Sequence, residues 1–371
     1  MAWMNLSEGL VKIIELLLYD RFSYVSEGIP LSVKKLSFRK KINLFRCGIN
    51  KLFSTAFASG YPPVIQVEPS NICNLTCHLC PSGEGNMKRE KGIMSAGTFQ
   101  KILDEIGDTL ITVSLYSWGE PFLNRELPEM LSACTDRNIL TTTSTNGHFI
   151  QTLEEALNIV DAGLKGLTIA IDGSTQDIYE NFRRGGKLEK VKNCSLLIEK
   201  AKSIRGSKFP YTNIRAVVMR QNQEDIQNIE NLARSIGVNM FSYKSLASLN
   251  HSPEVKKLEP TDKKLYKYKY EPVETGNKKL IKCIFPFRQP TVFWDGTVVG
   301  CEMDYDLEIP LGKMGEEKFS NIWNSPRAIK LRKSILQNGL NHPDFCHRCC
   351  YRETVNGNTV LSYKELNPVR P

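Results

Sequence analysis

From Val64 onward the chain alternates between two periodicities. Short apolar or β-branched runs occur at VIQVEP (64–69), ITVSLYSW (111–118), LTTTST (140–145), LTIAIDG (167–173), NIRAVVMR (213–220) and MFSYKSL (240–246), and they predict strands. The stretches between them, 95–107, 127–138, 153–163, 187–204 and 224–236, repeat apolar residues every three or four positions and predict helices. Several of the strands read as apolar on both faces, the pattern of strands buried on both sides. Such alternation argues for an α/β fold with a parallel sheet and outer helices, and right-handed crossovers would curl it into a partial (β/α)6 TIM-like barrel. Ahead of it, residues 1–60 read as a helical, amphipathic extension through LVKIIELLL, closed by Gly60 and Pro62-Pro63. That extension is expected to cover the main domain; the other reading is a basic amphipathic surface making peripheral contact with a membrane or partner.

Composition narrows this picture only a little. The 371 residues are 41% hydrophobic and 24% charged, ordinary for a globular chain, and no apolar run nears the roughly 20 residues of a spanning helix. The start has no basic residue ahead of its apolar stretch and no small-residue cleavage site, so a cytoplasmic location is expected. The net charge of +9 concentrates in SVKKLSFRKKINLFR (32–46) and KKLYKYKY (263–270). Acids lie nearby and no nucleic-acid-binding motif accompanies them, so these read as solvated faces or linker rather than a nucleic-acid site.

The cysteines change the picture more. There are eleven, and in a reducing compartment such numbers point to metal ligands or catalysis rather than disulfides. Cys47, Cys134 and Cys194 stand alone and read as small buried hydrophobes. Cys73, Cys77 and Cys80 (NICNLTCHLC, 71–80) follow the first predicted strand, Gly119-Glu120-Pro121 the second, Asn146-Gly147 the third, and Asp172-Gly173 the fourth, with Arg183 and Arg184 further on. In parallel barrels the chemistry gathers at these strand ends. Three thiolates leave one corner of a four-coordinate centre open. Beside it, Glu120 can accept from an ammonium while an arginine holds a carboxylate. Glu68, Tyr116 and Lys244 lie near strand ends and could face a substrate; His148 reads as an exposed loop histidine and His78 as part of the loop's geometry.

This C-x3-C-x2-C run, together with WGEP (118–121) after the second strand, resembles the radical S-adenosylmethionine (SAM) enzymes over roughly residues 64–250. The resemblance implies that Cys73, Cys77 and Cys80 hold a 4Fe-4S cluster whose fourth iron is chelated by SAM. It maps the family's Gly-Gly-Glu-Pro motif onto Trp118, Gly119, Glu120 and Pro121. Glu120 would then receive the SAM ammonium, Ser144 and Asn146 would touch its ribose or methionine, and Arg183 would meet its carboxylate. Trp118 stands where glycine is usual, and Leu79 replaces the common aromatic before the last cysteine. The implied activity is reductive cleavage of SAM to a 5′-deoxyadenosyl radical that abstracts hydrogen from a substrate, with an electron donor of flavodoxin or ferredoxin type.

A second set of cysteines lies downstream. PTVFWDGTVVGC (290–301) reads as a hairpin on a type I′ turn at Asp295-Gly296, with Trp294 facing Thr297 and Cys301 returning opposite Pro290. Cys283, Cys301, Cys346 and Cys349 then supply four thiolates, suited to zinc or to a fully ligated iron–sulfur cluster. The cysteine–hairpin–cysteine order with its late C-x2-C resembles the SPASM/Twitch extension of radical SAM enzymes, which implies one auxiliary 4Fe-4S cluster and leaves Cys350 spare. The expected organisation is thus 1–60 extension, 61–250 radical SAM core, 251–282 basic linker, 283–354 auxiliary-cluster domain and 355–371 tail. The expected substrate is a peptide or protein side chain, with a sugar or aminocyclitol as the alternative.

Overall fold

The computed structural model describes residues 16, 19–247, 253–265, 283–337, 343–347, 349 and 360–367. Residues 1–15, most of the expected linker and Cys350 lie outside them.

Six strands, β3 (Val64–Val67), β4 (Thr112–Leu115), β5 (Leu140–Thr145), β6 (Gly166–Ala170), β7 (Tyr211–Val218) and β8 (Met240–Ser245), pair in sequence order, each parallel to the next. They make an open, partial barrel within a ten-stranded sheet. The helices between them cover its outside. Several start on local caps: Ser95 Oγ accepts from Thr98 N ahead of Ala96–Ile106, and a Thr152/Glu155 capping box opens Leu153–Asp161.

Contrary to the two-sided apolar pattern expected of several strands, they are apolar on one face only. Ile65, Val67, Val113, Leu115, Leu167, Ile169, Ile214 and Ala216 are fully buried in the core under the helices, each large one contributing roughly 1.5–3 kcal/mol. The intervening Ser144, Thr168, Arg215 and Lys244 face a polar cavity inside the barrel. The lumen is a site, not a second core.

The amino-terminal extension also departs from the all-helical expectation. Strands β1 (Arg21–Ser26) and β2 (Ile29–Lys34) form an antiparallel hairpin, followed by helix α1 (Phe38–Phe53). Alternation decides it: Tyr24, Ile29, Leu31 and Val33 are buried together against Ile111, Leu140, Tyr211 and Met240, residues at the starts of barrel strands. The hairpin closes the lower end of the barrel. Its two-residue turn, Glu27-Gly28, has positive φ at both positions (49° and 90°), the type I′ geometry that matches strand twist.

At the other end of the chain, β9 (Thr291–Val292) pairs parallel to β3, and β10 (Thr297–Val299) and β11 (Pro310–Lys313) continue outward from it. The register differs by one from the expected hairpin. Val298 pairs with Val292, and Phe293 N donates to Thr297 O (2.9 Å), leaving a three-residue loop, Trp294–Gly296. Only Gly296 has positive φ (89°), so this is no type I′ turn. Asp295 explains the choice, because its carboxylate accepts from Thr297 N (3.0 Å) and Thr297 Oγ1 (2.8 Å). Strand β12 (Val360–Glu365) pairs antiparallel with β8 at the opposite edge.

Candidate functional site

The cysteine loop after β3 is shaped by close backbone packing. Asn71 pins its start, accepting from Gly92 N and donating to Glu90 O, both at 2.8 Å. Leu79 sits at φ 62°, a left-handed conformation costing of order 1–3 kcal/mol for a residue other than glycine, and its N–H donates to Glu84 Oε1 (2.9 Å). A Cβ on Gly83 would come within 2.7 Å of the Cys77 backbone. The result turns Cys73, Cys77 and Cys80 onto one cavity of about 400 Å³ at the carboxyl ends of the strands. Burial pushes the Cys73 thiol up to about 12 and raises that of Cys77. Thiols so placed keep their protons until a metal displaces them.

The loop after β4 passes directly beneath. Gly119 has φ +95°, and a Cβ there would stand 2.7 Å from Asn71 Cα, so this crossing needs glycine. It delivers Glu120, with Pro121 behind it, to the cavity wall. The buried Glu120 carboxylate accepts from Thr145 Oγ1 (2.8 Å), Phe122 N (3.1 Å) and Asn146 N (2.7 Å). Burial nonetheless pushes its carboxyl up to about 7, because these donors offset only part of the lost hydration. Ser144 and Asn146 line the same cavity, and Asn146 Nδ2 donates to Asn74 Oδ1 (2.8 Å) with Cys73 Sγ at 3.7 Å. Arg183 Nε donates to the buried Asp172 (2.5 Å), whose other oxygen accepts from Val217 N (2.7 Å). One edge of the guanidinium is therefore committed to Asp172, and the group lies beside the Cys77 thiol.

Other expected residues divide. Tyr116 and Lys244 do line the cavity. Glu68 does not face it: fully buried, it takes a bidentate bond from Arg89 (2.8 and 2.9 Å), whose guanidinium stacks on Phe293 at 3.8 Å. His148 is buried rather than exposed, with Nδ1 at 2.9 Å from Asn146 O and Nε2 accepting from Lys187 N (2.8 Å). Both its nitrogens are engaged. His78 is half-exposed at the rim, 3.9 Å from Glu84.

Two acidic residues of the cavity floor were not among the expected site residues. Glu27, at the hairpin tip, enters from below and pairs with the buried Arg215, whose Nη2 also donates to Glu27 O (2.5 Å). Glu302, beside Cys301, enters from the auxiliary segment and accepts from Gln66. The alternation in RFSYVSEGIPLSVK around Glu27-Gly28 was the available signal for the first; nothing local marks the second.

The later cysteines occupy different surroundings. Cys301 is buried with Met303 and Phe345, and Trp118, Phe285, Ile309, Cys346 and Cys349 pack around them. Burial pushes the Cys283 thiol up to about 12, and Cys301 and Cys346 are each raised by burial and then by both Cys283 and Cys349. Cys346 and Cys349 pack against the apolar cluster that holds Cys301, so the four thiols share one neighbourhood. Trp118 Nε1 donates to Glu302 O (2.9 Å) and its ring meets Tyr305 edge-on at 5.3 Å, tying the Glu120 loop to this group. Among the described residues no three His, Cys, Asp or Glu converge as they would on a single ion.

The match to known proteins follows the same division. Residues 67–233 match the radical SAM superfamily and residues 283–350 the SPASM iron–sulfur cluster-binding domain. The chain thus carries a radical SAM domain followed by a carboxyl-terminal SPASM domain. These domains imply a 4Fe-4S cluster, SAM and an auxiliary iron–sulfur cluster. The chain is similar to the AdoMet-dependent heme synthase of Methanosarcina barkeri (25% identical over 202 residues, 54% of this chain and 55% of the relative). It is also similar to the PqqA peptide cyclase of Granulibacter bethesdensis (27% over 180 residues, 47% and 45%). It thus spans about half the length of these curated relatives. In fold it resembles Streptococcus suis SuiB bound to precursor peptide SuiA, with a TM-score of 0.59, 15% identity, and coverage of 94% of this chain and 82% of that one. No helix among the described residues is long and apolar enough to cross a membrane.

Proposed function

We propose that this enzyme binds SAM on a cluster held by Cys73, Cys77 and Cys80 and turns its radical chemistry on a peptide or protein side chain. The observation that carries the reading is convergence: three thiols, Glu120, Asn146 and Arg183 open onto one cavity. When bound, the cluster and SAM supply a carbon-centred radical able to take hydrogen from an unactivated carbon. The chain's residues bind and orient. Ionised Glu120 has lone pairs left for the SAM ammonium after its three donors. Ser144 and Asn146 bound the space for its ribose and methionine, and Arg183 offers the guanidinium edge not given to Asp172. Leu75, Phe182, Met219 and Leu246 make an apolar wall that keeps water from the cysteine side.

Cys283, Cys301, Cys346 and Cys349 would hold the auxiliary 4Fe-4S cluster, a one-electron acceptor suited to an oxidation. Four thiols gathered in one mostly apolar neighbourhood suit that role, and with all four as ligands no position would be left for substrate. A flavodoxin- or ferredoxin-type protein serves as donor in this reading.

The peptide assignment draws support from the peptide cyclase relative and from the fold shared with SuiB. A second reading, a small polar molecule such as a sugar or aminocyclitol, is favoured by the floor, where Glu27, Arg215, Lys244 and Glu302 bring charges of both signs to one place. Anaerobically reconstituted enzyme, given reductant and candidate substrates deuterated at defined carbons, separates the two. Deuterium should appear in 5′-deoxyadenosine with a peptide; its appearance only with small cyclitols or sugars would replace the first reading by the second.

A further inference from the structure

Helix α1 is mounted inside out. Apart from Leu44, which packs on the hairpin core, the face it turns to the barrel is held by polar contacts: Lys40 Nζ donates to Arg137 O (2.9 Å) and Asn138 O (2.7 Å). Asn43 Nδ2 donates to Tyr61 O (2.9 Å) while its Oδ1 accepts from Tyr61 N (2.8 Å), and Cys47 Sγ lies 3.1 Å from Tyr61 O. The opposite face is apolar and open. Phe38, Phe45, Leu52 and Phe53 are exposed by 76, 70, 78 and 68%, with Ile49 between them and Phe57 just beyond. At 100° per residue, positions 38, 45, 49, 52 and 53 form one stripe. An ordinary surface helix turns such a stripe toward the core. This one is well capped, with Ser37 Oγ accepting from Lys40 N, so its orientation is not a frayed end.

Charge identifies the occupant. From Gly28 to Val67 the chain has no Asp or Glu, but it carries Lys34, Lys35, Arg39, Lys40, Lys41, Arg46 and Lys51. On the helix, Arg39 and Arg46 border the stripe on one side and Lys41 on the other; Arg39 pairs with Asp108 and Lys41 with Asp20, at exposed positions where such pairs are weak and can be exchanged for headgroups. An apolar stripe edged by cations that can reach up to headgroups is the pattern of a helix lying in a membrane interface. We propose that α1 docks this enzyme on the surface of an anionic lipid bilayer, its phenylalanines and leucine entering the headgroup–acyl boundary. The placement suits a working enzyme. Through Tyr61, Thr109, Arg137 and Asn138, α1 sits at the amino-terminal ends of β3, β4 and β5. The cavity lies at the carboxyl-terminal ends, so docking leaves its mouth facing away from lipid.

Flotation of the full chain with vesicles tests this, comparing phosphatidylcholine alone with phosphatidylcholine containing phosphatidylserine. The protein should float with the anionic vesicles and release as salt is raised. Phe45→Asp with Leu52→Asp should cut partitioning by at least about tenfold, and Lys35→Glu or Arg46→Glu by about fivefold each. All these side chains are exposed, so thermal melting and SAM cleavage in solution should stay at the unaltered level. Absence of flotation on either vesicle, or flotation undiminished in the double variant, would overturn the proposal. So would a concentration-dependent dimer that the double variant abolishes while vesicles leave it intact, which would give the stripe to a second copy.

Discussion

The two cysteine groups use the same element of chemistry in opposite settings. Cys73, Cys77 and Cys80 line a cavity whose other walls are Glu120, Asn146 and Arg183. Cys301, Cys346 and Cys349 stand among Met303, Phe345, Phe285 and Trp118, and Cys283 packs on the adjoining main core. The difference teaches that reactivity here is set by what the thiols leave unfilled. In the proposed reading, three thiolates beside a polar space leave room for a cosubstrate, whereas four in a mostly apolar shell would complete a centre that exchanges electrons or supports its neighbours.

The comparison is broken most sharply by Cys77→Ser. With a proposed ligand of the open group lost, SAM cleavage should fall by more than the roughly 10–100-fold that loss of an outer partner causes, read as 5′-deoxyadenosine per turnover period under anaerobic conditions. Cys301→Ser should do the reverse: iron content falls by about half, while the spectral change of the first cluster on adding SAM persists. Glu120→Gln sharpens the contrast from the ligand side, weakening SAM binding by roughly 10–150-fold, the worth of a hydrogen bond to a charged group. Because burial lifts the Glu120 carboxyl to about 7, the ionised form that accepts from an ammonium is depleted as pH falls. Affinity measured by equilibrium dialysis should therefore drop about tenfold for each pH unit below that point, and this limb should vanish in Glu120→Gln. Gly119→Ala forces a Cβ against the Asn71 backbone at positive φ, costing about 1–3 kcal/mol in strain alone and lowering the melting temperature. Trp118→Phe removes the bond to Glu302 O, worth about 0.5–1.5 kcal/mol, and trims the ring that meets Tyr305; it should leave both clusters loaded and shift the auxiliary cluster's paramagnetic spectrum slightly.

Much of the barrel was readable because its strands and helices alternate regularly and each of the first four strands runs into a distinctive motif. LTTTST was expected at 140–145 and is β5, with Thr145 and Asn146 delivered to Glu120. The misreadings share a cause: period-two signals hidden by stronger neighbours. The hairpin at 21–34 follows the helix-like LVKIIELLL, which masked the alternation of Tyr24, Ile29, Leu31 and Val33. In the later hairpin, the dipeptide Asp295-Gly296 suggested a two-residue turn, but the Asp295 side chain selects a longer one. His148 could not be placed because its partner, Lys187 N, is 39 residues away. The floor acids, Glu27 and Glu302, come from segments that meet only through tertiary structure.

One detail of the sheet bears on engineering. Gln66 N donates to Pro290 O (3.0 Å) and Glu68 N to Val292 O (2.9 Å), so the carboxyl-terminal module is stitched to the very strand that launches the first cysteine loop. A chimera that swaps this module at residue 283 severs that seam and leaves orphaned amides next to the open centre. A graft from a relative should therefore travel with its own copy of β3, or rebuild both halves of the seam together.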